Sequence, residues 1–362
     1  MPEDTLRELI AAITQSDEAA RRAAHDRWSA CAKPLGGLGL LEPMVEEMAA
    51  LTGSADLCLE NRTLLVLCAD NGVVAEGVSQ TGSEVTAVVA RQLGAGRSTA
   101  CRMAQVARCK VLPVDMGILD PPALPGVIDA RVANGTGNIA KGPAMTRAQA
   151  ARAVLNGIDL VRARKEEGVK LLAAGEMGIG NTTTATAVTC ALLGLDPAAV
   201  TGRGAGLSDA GLTRKVRAIK AALTVNHPDP ADPLDVLAKV GGLDIAGLCG
   251  VFLGGALFRV PVLMDGVITA AAALCAVRLC PAAEKAVFAS HCSAEPCGSL
   301  LLKALNKPPL ITAGMHLGEG TGALAAMPLL DMALAVYGGS TFADYGMEAY
   351  TPQEGTPCRP LC

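Results

Sequence analysis

Short, wholly apolar runs recur along this chain, each closed by a glycine or a polar turn, and they constrain its fold more than any other feature. Thr63 to Ala69 runs into Asp70-Asn71-Gly72, Lys110 to Val114 into Asp115-Met116-Gly117, and Val169 to Ala174 into Gly175-Glu176. Val260 to Met264, Ala286 to Ser290 and Pro309 to Ala313 repeat the pattern. Runs this short, apolar on both faces, are the signature of parallel strands covered on two sides. Helical stretches such as Glu84 to Gln92 and Ala148 to Glu166 lie between them. The alternation predicts an α/β fold: a doubly wound, mostly parallel sheet flanked by helices. Right-handed crossovers gather the strand ends on one edge. Asp70, Asp115, Glu176, Asp265, His291 and Glu319 are therefore expected around one cleft.

Composition agrees and narrows the function. Hydrophobic residues make up 51% of the 362, yet aromatics only 2%. The core must be aliphatic, with glycines permitting close approach. A net charge of −4 without a basic stripe makes nucleic acid an unexpected partner. The most apolar region, Ile245 to Val277, is broken by Arg259, Pro261 and Asp265. Neither flank reaches the roughly 20 residues of a membrane span, so helix, strand, helix is expected and no membrane association. The 13 cysteines form no CxxC, and Met1 is followed by acidic and polar residues. They read as reduced core residues of a cytoplasmic protein. His291-Cys292 with Cys297 lacks the spacing of a structural zinc site, so neither a metal nor a cofactor is expected.

Three motifs carry possible chemistry. Leu317-Gly318-Glu319-Gly320-Thr321-Gly322-Ala323 sets one carboxylate in a glycine turn before an apolar helix. It fits a proton acceptor in a cleft, and equally an acid favoured by a helix dipole. Gly175-Glu176-Met177-Gly178-Ile179-Gly180-Asn181-Thr182-Thr183 follows a strand and opens a helix. Free amides and the dipole there suit a phosphate monoester, although a tight turn with an ordinary cap has the same spelling. It is neither a Walker A loop nor a GxGxxG turn. A side chain at Gly180 is expected to enter the phosphate space. Thr201-Gly202-Arg203-Gly204-Ala205-Gly206, followed by Arg214-Lys215, can close over the same phosphate or simply start a solvated helix. Ser290-His291-Cys292-Ser293 lacks a GxSxG elbow and reads as a loop lining the cleft.

With these residues in view, the chain resembles the nicotinate-nucleotide:dimethylbenzimidazole phosphoribosyltransferases of cobamide lower-ligand synthesis. The likeness runs through Lys33-Pro34-Leu35-Gly36-Gly37-Leu38-Gly39, Ala69 to Ser79, Gly135-Thr136-Gly137-Asn138, Gly142 to Thr146, Gly175 to Thr183, Val240 to Ala246 and Leu317 to Ala323. The resemblance implies transfer of phosphoribose from nicotinate mononucleotide to a base, release of nicotinate, and inversion from β to α. It puts the catalytic base on Glu319. Donor and phosphate contacts fall on Glu176, Met177, Gly178, Ile179, Gly180, Asn181, Thr182, Thr183, Lys215 and Ser293, and the base pocket on Asp70, Thr81, Val89 and Leu317. It also implies a small helical lobe from both termini, 1–60 plus 323–362, beside a large nucleotide-binding domain, 61–322. A homodimer is the implied assembly, with a paralogous heterodimer as the alternative.

The chain departs from the family at the base pocket. Asn71 stands where the family usually has His. An aromatic near position 80 and a Gln near position 89 are absent, the stretch reading Gln80-Thr81-Gly82 and Val88-Val89. The expected consequence is a pocket with altered base preference that extends to other azoles and phenols. The alternative function is a weakly catalytic or inactive partner subunit of a heterodimeric phenol or cresol phosphoribosyltransferase.

Overall fold

A computed structural model describes residues 1–351. The end of the expected lobe, 352–362, lies outside the described residues. One six-stranded sheet forms the centre: β1 (Arg62–Ala69), β2 (Lys110–Gly117), β3 (Ile128–Asp129), β4 (Leu171–Met177), β5 (Val262–Met264) and β6 (Val287–Ala289). The spatial order is β3-β2-β1-β4-β5-β6, and every pair is parallel. Every residue of β1 is buried, as expected for a central strand covered on both faces. The chain winds one way from β1 and the other way from β4. The crevice beyond their carboxyl ends is where open sheets of this kind bind ligands. The β1–β4 register sets Leu67 beside Glu176 and Cys68 beside Met177, so β4 delivers its carboxylate at that crevice.

Two strand expectations change. Pro309 to Ala313 is not a strand; it makes a single parallel bridge, Ile311 to His291. Pro308 and Pro309 offer no amide hydrogen, so the ladder cannot extend through them. The sixth strand is instead Ile128–Asp129, within the Pro- and Gly-rich stretch Pro121 to Pro143, and it pairs with Val114 and Asp115. Both helical expectations hold, as Glu84–Gly94 and Arg147–Glu166.

The scarcity of aromatics has a packing reason. Arg147–Glu166 lies against the apolar helix Leu243–Phe258, where Gly157 meets Gly247 and Gly250. A Cβ on Gly157 would stand 2.9 Å from the Gly250 Cα. The backbones approach more closely than bulky side chains would allow. A second, smaller core joins Ala24, Trp28, Cys31, Val45 and Ala49 of the N-terminal region to Ala333 and Tyr337 of the helix Thr321–Tyr337. Trp28 and Tyr337 lie 4.8 Å apart between ring centroids, and the Tyr337 hydroxyl donates to the Ala55 carbonyl at 2.8 Å. Leu6, Met48 and Leu51 join the main core, seating these helices on the sheet domain.

Candidate active site

A cavity of about 280 Å³ opens at the carboxyl ends of the strands. Glu319 lines it from a turn in which Gly318, Glu319 and Gly320 all have positive φ, at 86°, 56° and 79°. Glycine takes that conformation freely, whereas a glutamate there stores strain of about 1–3 kcal/mol. The packing leaves little alternative. A Cβ on Gly318 would stand 2.7 Å from Glu176 Oε1, and one on Gly320 would strike Leu64. Asp265 fixes the start of the following helix, accepting the amides of Gly322 at 2.7 Å and Gly320 at 3.2 Å. The Ala100 amide, at the start of the helix Thr99–Val106, donates to Glu319 Oε2 at 3.3 Å.

Buried acids stand behind Glu319. Glu176 is pushed up to about 8, first by burial and then by the nearby Asp244 charge, against the Asn181 amide that hydrogen-bonds it. Burial raises Asp244 to about 6, although Asn181 Nδ2 also donates to it at 3.0 Å. Burial raises Asp265 too, opposed by His291, whose Nδ1 lies 3.8 Å away. Burial thus favours the protonated form of Glu176 at the cavity wall.

Two helices of full length point their N-termini at the same space. Asn181–Leu193 begins after Gly180, and Val267–Leu279 after Gly266, neither with a side-chain cap. At the first, Gly178 and Gly180 carbonyls already accept the Asn181 and Thr183 amides, and Thr86 accepts that of Ile179. At the second, among the described residues, the amides of Val267, Ile268 and Thr269 have no acceptor. Ser293 stands beside Gly266, with its Oγ 3.7 Å from where a Cβ on that glycine would lie.

Of the residues singled out in the sequence, Glu176 to Thr182, Ser293, Val89, Leu317 and Glu319 line the cavity. Five expected residues do not. Thr183 is turned into the core, its hydroxyl without a partner among the described residues. Asp70 faces the other way, accepting the Leu119 amide at 2.8 Å. Asp115, from the wider set of strand-end acids, likewise holds Gly117, Ile118 and Arg131. Thr81 lies on the outer side of its loop, with its amide on the Ser79 hydroxyl. Lys215 is completely buried behind the cavity wall, donating to Thr182 Oγ1 at 2.8 Å and to the Gly202 carbonyl at 3.1 Å. Burial lowers it to about 8 while Glu295 opposes the shift.

Gln80, Glu295 and the Gly266–Thr269 turn also line the cavity and were missed as site residues. Met264-Asp265-Gly266-Val267 has the same strand–glycine–helix order as the Gly178 turn, so its signal was present. Gln80 gave none: its amide donates to the Ala205 and Gly206 carbonyls, a contact only folding creates. Among the described residues no Phe, Tyr or Trp lines the cavity.

A phosphoribosyltransferase family model matches residues 13–347. The nicotinate-nucleotide–dimethylbenzimidazole phosphoribosyltransferase of Ruminiclostridium cellulolyticum is 44% identical, covering 97% of this chain and 100% of that protein. The protein of the same name from Halalkalibacterium halodurans is 43% identical over 91% of this chain and 93% of its own length. The crystal structure of CobT from Thermus thermophilus superposes with a TM-score of 0.87 at 40% identity, covering 92% of this chain and 100% of that one.

Proposed function

The chain belongs to the phosphoribosyltransferase family, and from that membership we propose that it moves 5-phosphoribose from nicotinate mononucleotide to a lower-ligand base in cobamide synthesis. The observation that carries this reading is a single cavity in which Glu319, the buried Glu176 and two helix N-termini converge. The donor's phosphate sits at the free amides of Val267 to Thr269 with Ser293. Lys215 acts from behind the wall, rigidifying Thr182 and adding positive charge. Gly178 to Thr182 form the floor under the ribose.

The nicotinate of the donor is a pyridinium. When its C–N bond breaks, the electron pair returns to the ring nitrogen, so no acid is needed at the leaving group. The incoming base attacks the opposite face, which inverts the anomeric centre. Its nitrogen, or a phenol's oxygen, loses one proton to Glu319. The Asp265 carboxylate, which lines the cavity, favours positive charge at the anomeric carbon. None of these steps calls for a metal or cofactor.

Dimethylbenzimidazole is the base named for the relatives, and it is the first base proposed here. Gln80 lines the cavity, but its amide nitrogen is held by the Ala205 and Gly206 carbonyls, and Thr81 does not reach the cavity, so the expected loss of a polar contact to the base stands. The aliphatic lining by Val89, Leu317 and Met177 still supports a flatter preference among azoles and phenols. The comparisons give no support to an inactive partner subunit. The test is purified protein with nicotinate mononucleotide and a panel of benzimidazoles, purines and phenols. An α-riboside phosphate is expected; free ribose phosphate would indicate a hydrolase, and no product a non-catalytic subunit.

A homodimer is the proposed assembly. Val106 and Met332 are 78% and 63% exposed on two helices that pack together, forming an apolar face suited to a two-fold partner. No helix among the described residues is long and apolar enough to cross a membrane. The free cysteines support a reducing, cytoplasmic setting.

A further inference from the structure

A second cavity, of about 230 Å³, lies in the seam between the N-terminal helices and the turn Pro281–Ala286. Gln15, Ser16, Arg21, Glu284, Lys285 and Lys307 are among its walls. Arg259 ends the helix before β5, and Lys285 lies two residues before β6. The seam is therefore at the amino edge of the sheet, opposite the substrate cavity.

Its charges do not balance. Arg21 is paired with Glu47 and Glu18, and Lys307 with Glu284 at 3.2 Å. Lys285 is only 8% exposed, yet among the described residues no carboxylate lies within salt-bridge distance of it. Its ammonium reaches just the Thr14 carbonyl. Arg259 has no carboxylate partner among them either, and its Nη2 donates to Thr14 Oγ1 at 3.4 Å. Thr14 thus holds two unpaired cations side by side. Burial first, and then the Arg259 charge, lower the Lys285 pKa. A buried cation facing a like charge is costly unless an anion compensates it. The Ser16 hydroxyl and Gln15 amide supply neutral donors beside them. The volume exceeds that of several waters at roughly 30 Å³ each, leaving room for a tetrahedral ion.

We propose that this seam is a phosphate-sized oxyanion site, with Lys285 as its principal ligand, Ser16 and Gln15 as supporting donors, and Arg259 adding positive charge from beside Thr14. The bound anion joins the N-terminal helices to the sheet domain, away from the chemistry. This goes beyond the transferase reading and does not depend on it.

The probe is inorganic phosphate, titrated against chloride at matched ionic strength. Equilibrium dialysis counts bound phosphate, and thermal unfolding reads the stabilisation that ligand binding confers. Substrate-cavity binding is followed separately, through phosphate inhibition of transfer. Lys285→Met should weaken phosphate binding at the seam at least tenfold, remove one bound equivalent and remove its share of the thermal stabilisation. Turnover and phosphate inhibition should stay unchanged. Arg259→Asn, in which asparagine suits the left-handed φ of 56°, should weaken seam binding several-fold and covers the case in which the first variant fails to fold. Full phosphate stoichiometry and stabilisation in a folded variant of either residue would overturn the proposal. So would a wild-type protein that binds phosphate only where it inhibits transfer.

Discussion

Glu319 holds a left-handed backbone between two glycines, with its carboxylate against a helix start. Glu319→Gln keeps the shape and the Ala100 contact while removing the base. We expect kcat to fall by about 10²-fold or more, with donor affinity little changed. Near wild-type turnover, measured under single-turnover conditions, would remove Glu319 from the mechanism. Glu176 makes a different, thermodynamic prediction. Folded, it holds its proton up to about pH 8; unfolded, it releases it near 4.5. Between those values the native state binds the extra proton, so this group makes stability fall as pH rises, by up to about 1.4 kcal/mol per unit. Glu176→Gln should flatten the decline of thermal stability between pH 5 and pH 8. An unchanged slope would mean that Glu176 is ionised in the folded protein.

Two glycine-led helix starts compete for the donor phosphate, and their geometry separates them. A side chain at Gly180 does not enter the cavity as the sequence suggested. Its Cβ would meet Val74 at 2.9 Å, from a φ of 93°, so Gly180→Val would report misfolding. Gly266 offers a cleaner test. A Cβ there makes only ordinary contacts, at 3.7–3.8 Å to Ser293 and His291, and the backbone is extended. Gly266→Val should leave the melting temperature within a few degrees of wild type. It should weaken nicotinate mononucleotide binding by about tenfold or more, since the isopropyl group takes space at the free amides. Unchanged affinity by calorimetry would return the phosphate to the Gly178 turn.

At the scale of the molecule, the Thr321–Tyr337 helix links three features. Its start is held by Asp265 next to Glu319, its middle pairs Asp331 with the buried Arg62 of β1, and its outer face exposes Met332. If that face is the dimer interface, Met332→Glu should yield monomers in sedimentation at micromolar concentration. A wild-type dimer that survives this substitution would place the interface elsewhere.

The sequence alone determined the class of fold and most of the cavity wall. Buried parallel strands must be apolar on both faces, and a parallel sheet gathers its strand ends, so β1, β2, β4 and the Glu176 and Glu319 turns were legible from local pattern. What only tertiary structure decided depends on partners distant in sequence. Ile128–Asp129 is too short to show a period and exists as a strand because β2 lies beside it. Pro309 to Ala313 has the composition of a strand but pairs with the chain after β6 only at Ile311. Lys215 had the spelling of a solvated basic pair, and the helices around it made it a buried ammonium bonded to Thr182 and Gly202. Asp70 and Glu176 both end apolar runs, yet one turns to the Leu119 amide and the other to the cavity. That choice rests on which backbone donors the fold brings within reach, and no local residue pattern encodes it.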